Sequence, residues 1–301
     1  MNANPDRFEP IDAPASLLGE SPLWHPQQQC LYWCDIPGCA VHRWDPASGV
    51  HRRWDFELEP ASLAPLRSGG LLVAVRDGLY RLDTGSGACR RLAGAPYDPA
   101  RQRFNDGKAD PQGRFWVSTL DERRQPDAAL YCWDGAQIQR RAVGVAVGNG
   151  LAFSVDGRTL YWADTRAHQV LAFDFDGSDG SLSRRRVFKV FAPRAEGQPL
   201  SAYGGRPDGA AMDSEGGYWV AMFEGRQLLR LTPEGDVSRQ IALPVQCPTM
   251  PCFGGADLRT LYLTTSRENR PEDELARDPL AGRVLALRVD VPGLPAHYVA
   301  A

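Results

Sequence analysis

Nowhere does this chain carry the ~18–20 consecutive apolar residues that a membrane-spanning helix needs, so no transmembrane helix is expected. Met1 to Pro14 lacks a charged stretch followed by an apolar one. It does not read as a secretory signal, and the expectation is a cytoplasmic protein. An excess of charge of one sign is missing too. The formal net charge is −3, so no global field draws in nucleic acid or an anionic membrane, and neither is expected as a partner. The compact basic run Arg184-Arg185-Arg186 is short and reads as a solvated strand or loop. Histidines are few, and His25, His42, His51, His168 and His297 share no metal-ligand spacing. The cysteines are odd in number, 7 in all. Cys30, Cys34 and Cys39 cluster locally, but no fourth ligand completes a zinc spacing, so free thiols in a reducing compartment are expected. Also absent are a Gly-rich phosphate loop, a His-Glu-x-x-His pair and a Gly-x-Ser-x-Gly elbow. Covalent serine or cysteine catalysis therefore has little support.

Sustained helical periodicity is missing as well. In its place stand short apolar or alternating runs, each closed by Gly, Asp, Asn or Pro, which is the pattern of strands and turns. With 30 Gly and 24 Pro, the chain has ample turn-forming residues. The runs sort into recurring sets. An aromatic-rich buried strand recurs at 31–36, 71–75, 114–120, 159–165, 217–223 and 260–266. A second strand follows each, often ending in an Asp turn, and a third precedes it. A fourth, more polar strand follows in several repeats. Six copies of about four strands, spaced at roughly 40 to 60 residues, predict an all-β, six-bladed β-propeller filling residues 1–301 as one domain. The segment Phe8 to Ala13 is the expected outer strand of the last blade, closing the ring.

Within the repeat a short phrase returns: a polar residue, usually Gly after it, an apolar stretch, a turn and an aromatic pair. It reads Asn105-Asp106-Gly107 to Phe115-Trp116, Asn149-Gly150 to Tyr161-Trp162, and Asp208-Gly209 to Tyr218-Trp219. Glu20 to Tyr32-Trp33 is a looser copy without the Gly. In a propeller, the innermost strands line the central channel and run in one direction. Residues opening the strand before the aromatic one therefore converge on one mouth. Glu20, Asn105 with Asp106, Asn149 and Asp208 make an all-oxygen set that suits a hard divalent cation, calcium first. Without a cation, such packed carboxylates repel and take up protons. The plainer alternative is that Asn-Gly and Asp-Gly only form turns. Asp110, Asp156 and Asp213 fall at hairpins and are expected to carry no chemistry.

The segments Leu18-Gly19-Glu20-Ser21-Pro22-Leu23-Trp24, Arg103-Phe104-Asn105-Asp106-Gly107-Lys108, Gly148-Asn149-Gly150-Leu151 and Arg206-Pro207-Asp208-Gly209 resemble four signatures of the senescence marker protein/gluconolactonase/luciferin-regenerating family. The resemblance runs from about residue 15 to 290. It implies a six-bladed propeller with one divalent metal in the channel, Ca²⁺ foremost and Zn²⁺, Mn²⁺ or Mg²⁺ as alternatives. It also implies Glu20, Asn149 and Asp208 as metal ligands, and Arg103 and Asn105 as holders of a sugar lactone. The chain departs from the family pattern where a substrate-binding acid is expected, in Ser118-Thr119-Leu120-Asp121-Glu122-Arg123. Asp121 and Glu122 are both candidates, with Glu122 taken as the site residue, and Arg123 is the alternative occupant of the matching place.

Taken together, these residues lead to the expectation of a metal-dependent lactonase. It would open a gluconolactone-like sugar lactone to the aldonic acid, with Asp208 as general base. A phosphotriesterase or luciferin-regenerating type of hydrolase is the rival enzyme reading. A non-enzymatic calcium-binding regulatory propeller is the rival of another class. The expected partner is a small molecule, and the expected state a monomer or weak oligomer.

Overall fold

The computed structural model describes residues 7–300. Its strands form six four-stranded antiparallel sheets, arranged as a six-bladed propeller. Blade one comprises β2 (Gly19–His25), β3 (Cys30–Asp35), β4 (Ala40–Trp44) and β5 (His51–Asp55). Blade two comprises β6 (Pro60–Pro65), β7 (Leu71–Val75), β8 (Gly78–Leu82) and β9 (Cys89–Gly94). Blade three holds β10 (Gln102–Ala109), β11 (Phe115–Asp121), β12 (Ala128–Trp133) and β13 (Ile138–Val145). Blade four holds β14 (Gly148–Phe153), β15 (Thr159–Asp164), β16 (Gln169–Asp176) and β17 (Ser181–Val190). Blade five is β18 (Arg206–Met212), β19 (Tyr218–Phe223), β20 (Gln227–Leu231) and β21 (Val237–Ala242). Blade six contains β22 (Pro248–Gly254), β23 (Thr260–Thr265) and β24 (Leu285–Arg288), and its outer strand is the N-terminal β1 (Glu9–Pro10). The expected closure thus forms, with Glu9 opposite Ala286 and Pro10 opposite Leu285. Each innermost strand packs on the next, and β22 packs on β2, so no inner edge is left open.

The aromatic pairs build the core between blades. Trp33, Trp116, Trp162 and Trp219 are all buried, as are Tyr32, Phe115, Tyr161 and Tyr218. Two of the hairpin aspartates reinforce this. Asp110 and Asp213 are fully buried and accept the indole N–H of Trp116 and Trp219 at 2.9 and 2.8 Å. Asp110 also pairs with Arg114, and Asp213 with Arg230, each at 2.6 Å. They clamp a hairpin to its own blade's tryptophan, whereas Asp156 only caps its exposed turn through Ser154 and the Arg158 N–H. All seven cysteines are free. Among the described residues no helix is long and apolar enough to cross a membrane.

The Asn-Gly and Asp-Gly pairs are not turns. They lie inside the innermost strands, where the ladder slips in register: between Glu20 and Leu23, Phe104 and Gly107, Asn149 and Ala152, and Pro207 and Ala210. A bulge inserts an extra residue and re-aims the neighbouring side chain. The glycines serve different ends. Gly150 takes φ +55°, a left-handed conformation, and a Cβ there would run into the Tyr218 hydroxyl. Gly209 is not left-handed, but a Cβ would collide with Met250 of the next blade. In blade one Ser21 adopts φ 47° in place of a glycine. Its hydroxyl accepts the buried Leu63 N–H at 2.9 Å, which explains why the looser copy carries serine.

Candidate active site

At the N-terminal ends of the innermost strands, the bulges bring Glu20, Asn105, Asn149 and Asp208 to one cavity of about 530 Å³. All four are at least nine-tenths buried. Arg103 lines the same cavity. Blades two and six do not contribute at this level: Ala61 is buried and apolar, and the Thr249 hydroxyl is spent on the Gly19 carbonyl at 2.6 Å. The pocket is therefore one-sided. At the other ends of the innermost strands lies a smaller cavity of about 100 Å³, lined largely by apolar residues and by Leu294 to His297.

A directed relay orients the amides. Asn105 Nδ2 donates to Asn149 Oδ1 at 2.7 Å and to the Gly148 carbonyl at 2.9 Å. Asn149 Nδ2 donates to Thr165 Oγ1 at 2.8 Å, whose hydroxyl donates to the Pro207 carbonyl at 2.7 Å. Arg103 Nη1 donates to Asn105 Oδ1 at 2.8 Å and to the Phe104 carbonyl at 3.0 Å. Each amide therefore has its oxygen and nitrogen assigned by partners on both sides. Thr165, which holds Asn149 from below, gave no signal in the sequence because it lies in the turn after β15, outside the repeated phrase.

The two carboxylates are held differently. Glu20 Oε2 accepts only a short-range bond, the Ser21 N–H at 3.0 Å. Among the described residues neither Glu20 nor Asp208 forms an ion pair. Burial, then Asp208 and Asp106, hold the Glu20 carboxyl well above its ordinary value. Burial is also the largest influence on Asp208, pushed up to about 8, with Asp106 raising it further and Arg206 opposing. Asp106, one step deeper, is raised to about 6, again by burial. Its Oδ2 accepts the Leu151 N–H at 2.7 Å while its Oδ1 is buried without a partner. Two un-neutralised carboxyls beside an oriented amide oxygen are a donor set that lacks its positive charge, and a hard divalent cation fits it. Among the described residues no three His, Cys, Asp or Glu side chains gather as a metal cluster; the set here is two carboxylates and an amide.

Glu122 is placed elsewhere. Its Oε1 accepts from Arg76 Nη2 at 2.9 Å, in a network with Glu59, and it does not line the cavity. Asp121 is fully buried and caps the following turn through the Gln125 N–H at 2.8 Å. The lining residue from this loop is instead Arg124. Arg166, His168, Arg206, Glu224, Glu268 and Arg270 complete the mouth. Arg206 opens β18 two residues before Asp208, whereas the others follow a strand end at an offset set by loop shape, for which the sequence carries no local signal.

Comparison with known proteins identifies the family. The SMP-30/Gluconolactonase/LRE-like region matches residues 18–267. The chain belongs to this family. A 6-deoxy-6-sulfogluconolactonase of Pseudomonas putida is 44% identical over 92% of this chain and 93% of that protein. Regucalcin of Oryctolagus cuniculus is 33% identical over 94% of each. Among solved structures, a calcium-binding regucalcin from Agrobacterium tumefaciens superposes with a TM-score of 0.90 at 24% identity, over 98% of both chains. A luciferin-regenerating enzyme superposes with a TM-score of 0.87 at 25% identity, over 98% of this chain and 99% of that one. The family match takes in Glu20, Arg103, Asn105, Asn149 and Asp208, all of which lie within its bounds.

Proposed function

We propose that this protein hydrolyses a sugar-acid lactone to the open aldonic acid, with one divalent cation, calcium first, held by Glu20, Asn149 and Asp208. The observation that carries the reading is the pair of buried carboxyls that no ion pair neutralises among the described residues, set beside an oriented amide and an arginine in one polar cavity. The Pseudomonas putida relative, named for a lactone with a sulfonate at its sixth carbon, supports the substrate class. When bound, the cation supplies positive charge that polarises the lactone carbonyl and stabilises charge developing on its oxygen.

The protein's own groups do the rest. Asp208 accepts the proton of the water whose oxygen attacks the carbonyl carbon. In the ion-free site its carboxyl titrates at about 8, a strength suited to a base near neutral pH. A bound cation draws that value down, and an activated cyclic ester needs only modest base assistance. The carbonyl–ring oxygen bond then breaks, and the departing oxygen takes up a proton. Arg103 has one nitrogen, Nη1, committed to Asn105 and Phe104, which leaves the rest of its guanidinium for the sugar's hydroxyls or ring oxygen. Asn105 is fixed beneath it and contributes to the same contact. Glu122, tied to Arg76, is given no role in this reading.

The test is a pH-based lactonase assay on chelator-stripped protein with Ca²⁺, Zn²⁺, Mn²⁺ and Mg²⁺ restored singly. Gluconolactone is expected to turn over only with metal present. No lactone turnover with any metal overturns the reading. Turnover of a phosphotriester in its place would indicate the other hydrolase class, and metal binding without turnover a calcium-binding propeller.

A further inference from the structure

Five arginines line the mouth: Arg103, Arg124, Arg166, Arg206 and Arg270. Three are already engaged. Arg103 is bonded to Asn105. Arg206 and Arg270 share Glu224, at 3.2 and 2.8 Å, and Arg270 also grips Glu274 at 2.6 Å. Arg124 and Arg166 differ, because their guanidinium groups make no hydrogen bond or ion pair among the described residues. Glu268, on the blade-six side of the same mouth, lies within electrostatic reach of Arg124 but forms no ion pair with either.

The backbone beneath the two is built rather than loose. Asp121, fully buried, accepts the Gln125 N–H, and its carbonyl accepts the Arg124 N–H at 2.9 Å, with Arg124 at φ 59°. Asp164, also buried, accepts the Arg166 N–H at 3.2 Å and the Ala146 N–H at 3.3 Å. Blade one repeats the device: buried Asp35 accepts the Leu17 and Leu18 N–H groups at 3.1 Å, and its turn presents Ile36 to the cavity. The residues that match Ile36 by their backbone bonds are Glu122 and Thr165, and blades three and four bring Arg124 and Arg166 to the cavity two residues and one residue further along their turns. A solvated arginine needs no partner, but two on pinned turns facing one cavity make a fork for an anion. Once a divalent cation offsets Glu20 and Asp208, the mouth carries excess positive charge.

The geometry points to an anion subsite formed by Arg124 and Arg166, selecting sugar lactones that bear a sulfonate or phosphate at the end remote from the carbonyl. The pose rests on the lactonase reading above and belongs to the proposal: the carbonyl is set at Glu20 and Asp208, and the far end of the sugar at the part of the rim lined by Arg124 and Arg166. The cavity is ample for a six-carbon lactone with such a substituent.

The test compares kcat/KM for gluconolactone, 6-deoxy-6-sulfogluconolactone and 6-phosphogluconolactone in the metal-loaded protein, in the Arg124→Gln and Arg166→Gln single variants and in the double variant. The native chain is expected to prefer an anionic lactone about tenfold or more, through KM. That preference falls to within about threefold in the double variant, and it weakens as salt rises. Whether sulfonate or phosphate leads identifies the source of the anion. No preference in the native chain, or a preference that survives both substitutions, overturns the subsite. Calorimetry with 6-deoxy-6-sulfoglucose, glucose 6-phosphate and glucose gives a readout independent of turnover. Tighter, arginine-dependent binding of either anionic sugar without lactone hydrolysis would leave the subsite standing and remove the lactonase reading alone. Hydrolysis of all three lactones at one rate would do the reverse.

Discussion

Asn105 hands a side-chain N–H to Asn149 Oδ1 at 2.7 Å, so the amide of blade three fixes which way the amide of blade four is turned. Asn149 Oδ1 keeps a second lone pair, and its nitrogen is turned away to Thr165. Asn105 thereby acts on both halves of the proposed chemistry, orienting a cation ligand below and steadying Arg103 above.

Asn105→Ala removes both effects without adding bulk. Groups that orient metal ligands typically cost 10–100-fold in affinity or activity when lost. Calcium affinity of the variant, measured by calorimetry, is expected to fall by about tenfold or more, with KM for the lactone rising in parallel. Unchanged values for both would show that Asn149 is oriented by Thr165 alone.

The aspartates of this chain divide sharply by task. Asp213 receives five donors: the Glu215 and Gly217 N–H groups, the Trp219 indole and two nitrogens of Arg230. Asp213→Ala strands the buried Trp219 indole N–H and leaves the partly buried Arg230 guanidinium to Glu215 and Ser238, a loss of about 1–3 kcal/mol for a buried donor left without its acceptor. Thermal unfolding should report that loss, while calcium affinity of the folded fraction stays near the native value. Loss of affinity with stability unmoved would contradict this division.

How much of this was legible beforehand follows from which residues repeat. The propeller, its closure by the N-terminal strand and the convergence of Glu20, Asn105, Asn149 and Asp208 were readable because each is fixed by strand order and by one position in a recurring phrase. The bulges were not: Asn149-Gly150 has the composition of a turn, and only packing against Tyr218 and Asp208 shows that it lies within a strand. The family resemblance places a substrate-binding acid after the blade-three strand, and Asp121 and Glu122 are the acids the sequence offers there. The chain turns there at Arg124 (φ 59°), so Glu122 swings out to Arg76 and Arg124 swings in. No local sequence signal distinguishes those outcomes, because the turn is held by Asp121 from inside the blade.

Gly150→Ala probes the bulge directly. The left-handed φ and the crowding by Tyr218, Ala163 and the Asp208 carbonyl together are expected to cost about 1–3 kcal/mol. Displacement would pass to Asn149, one residue before. Denaturant unfolding should show the stability loss, and calcium affinity should weaken with it. A variant of native stability would mean that the bulge is softer than its packing indicates.

The carboxyl pair also makes stability depend on pH in a stated direction. With metal removed, the Asp208 carboxyl titrates at about 8 in the folded chain against an ordinary 3.8. Between those values the folded state holds a proton that the unfolded state has lost. Asp208 therefore favours folding most below about pH 4, and that contribution disappears as pH rises through 8. Glu20, raised in the same sense by burial and by Asp208, adds to the trend. Other groups titrate in this range, so the informative quantity is the difference between the native chain and Asp208→Asn, which keeps the shape and removes the titration. In chelator, the melting temperature of the native chain should fall relative to the variant from pH 5 to pH 8. Calcium should restore it for the native chain alone, with proton release on binding and an affinity that climbs across the same interval. A difference that is flat with pH, or that grows in favour of the native chain toward pH 8 without metal, would place Asp208 outside a desolvated carboxyl pair.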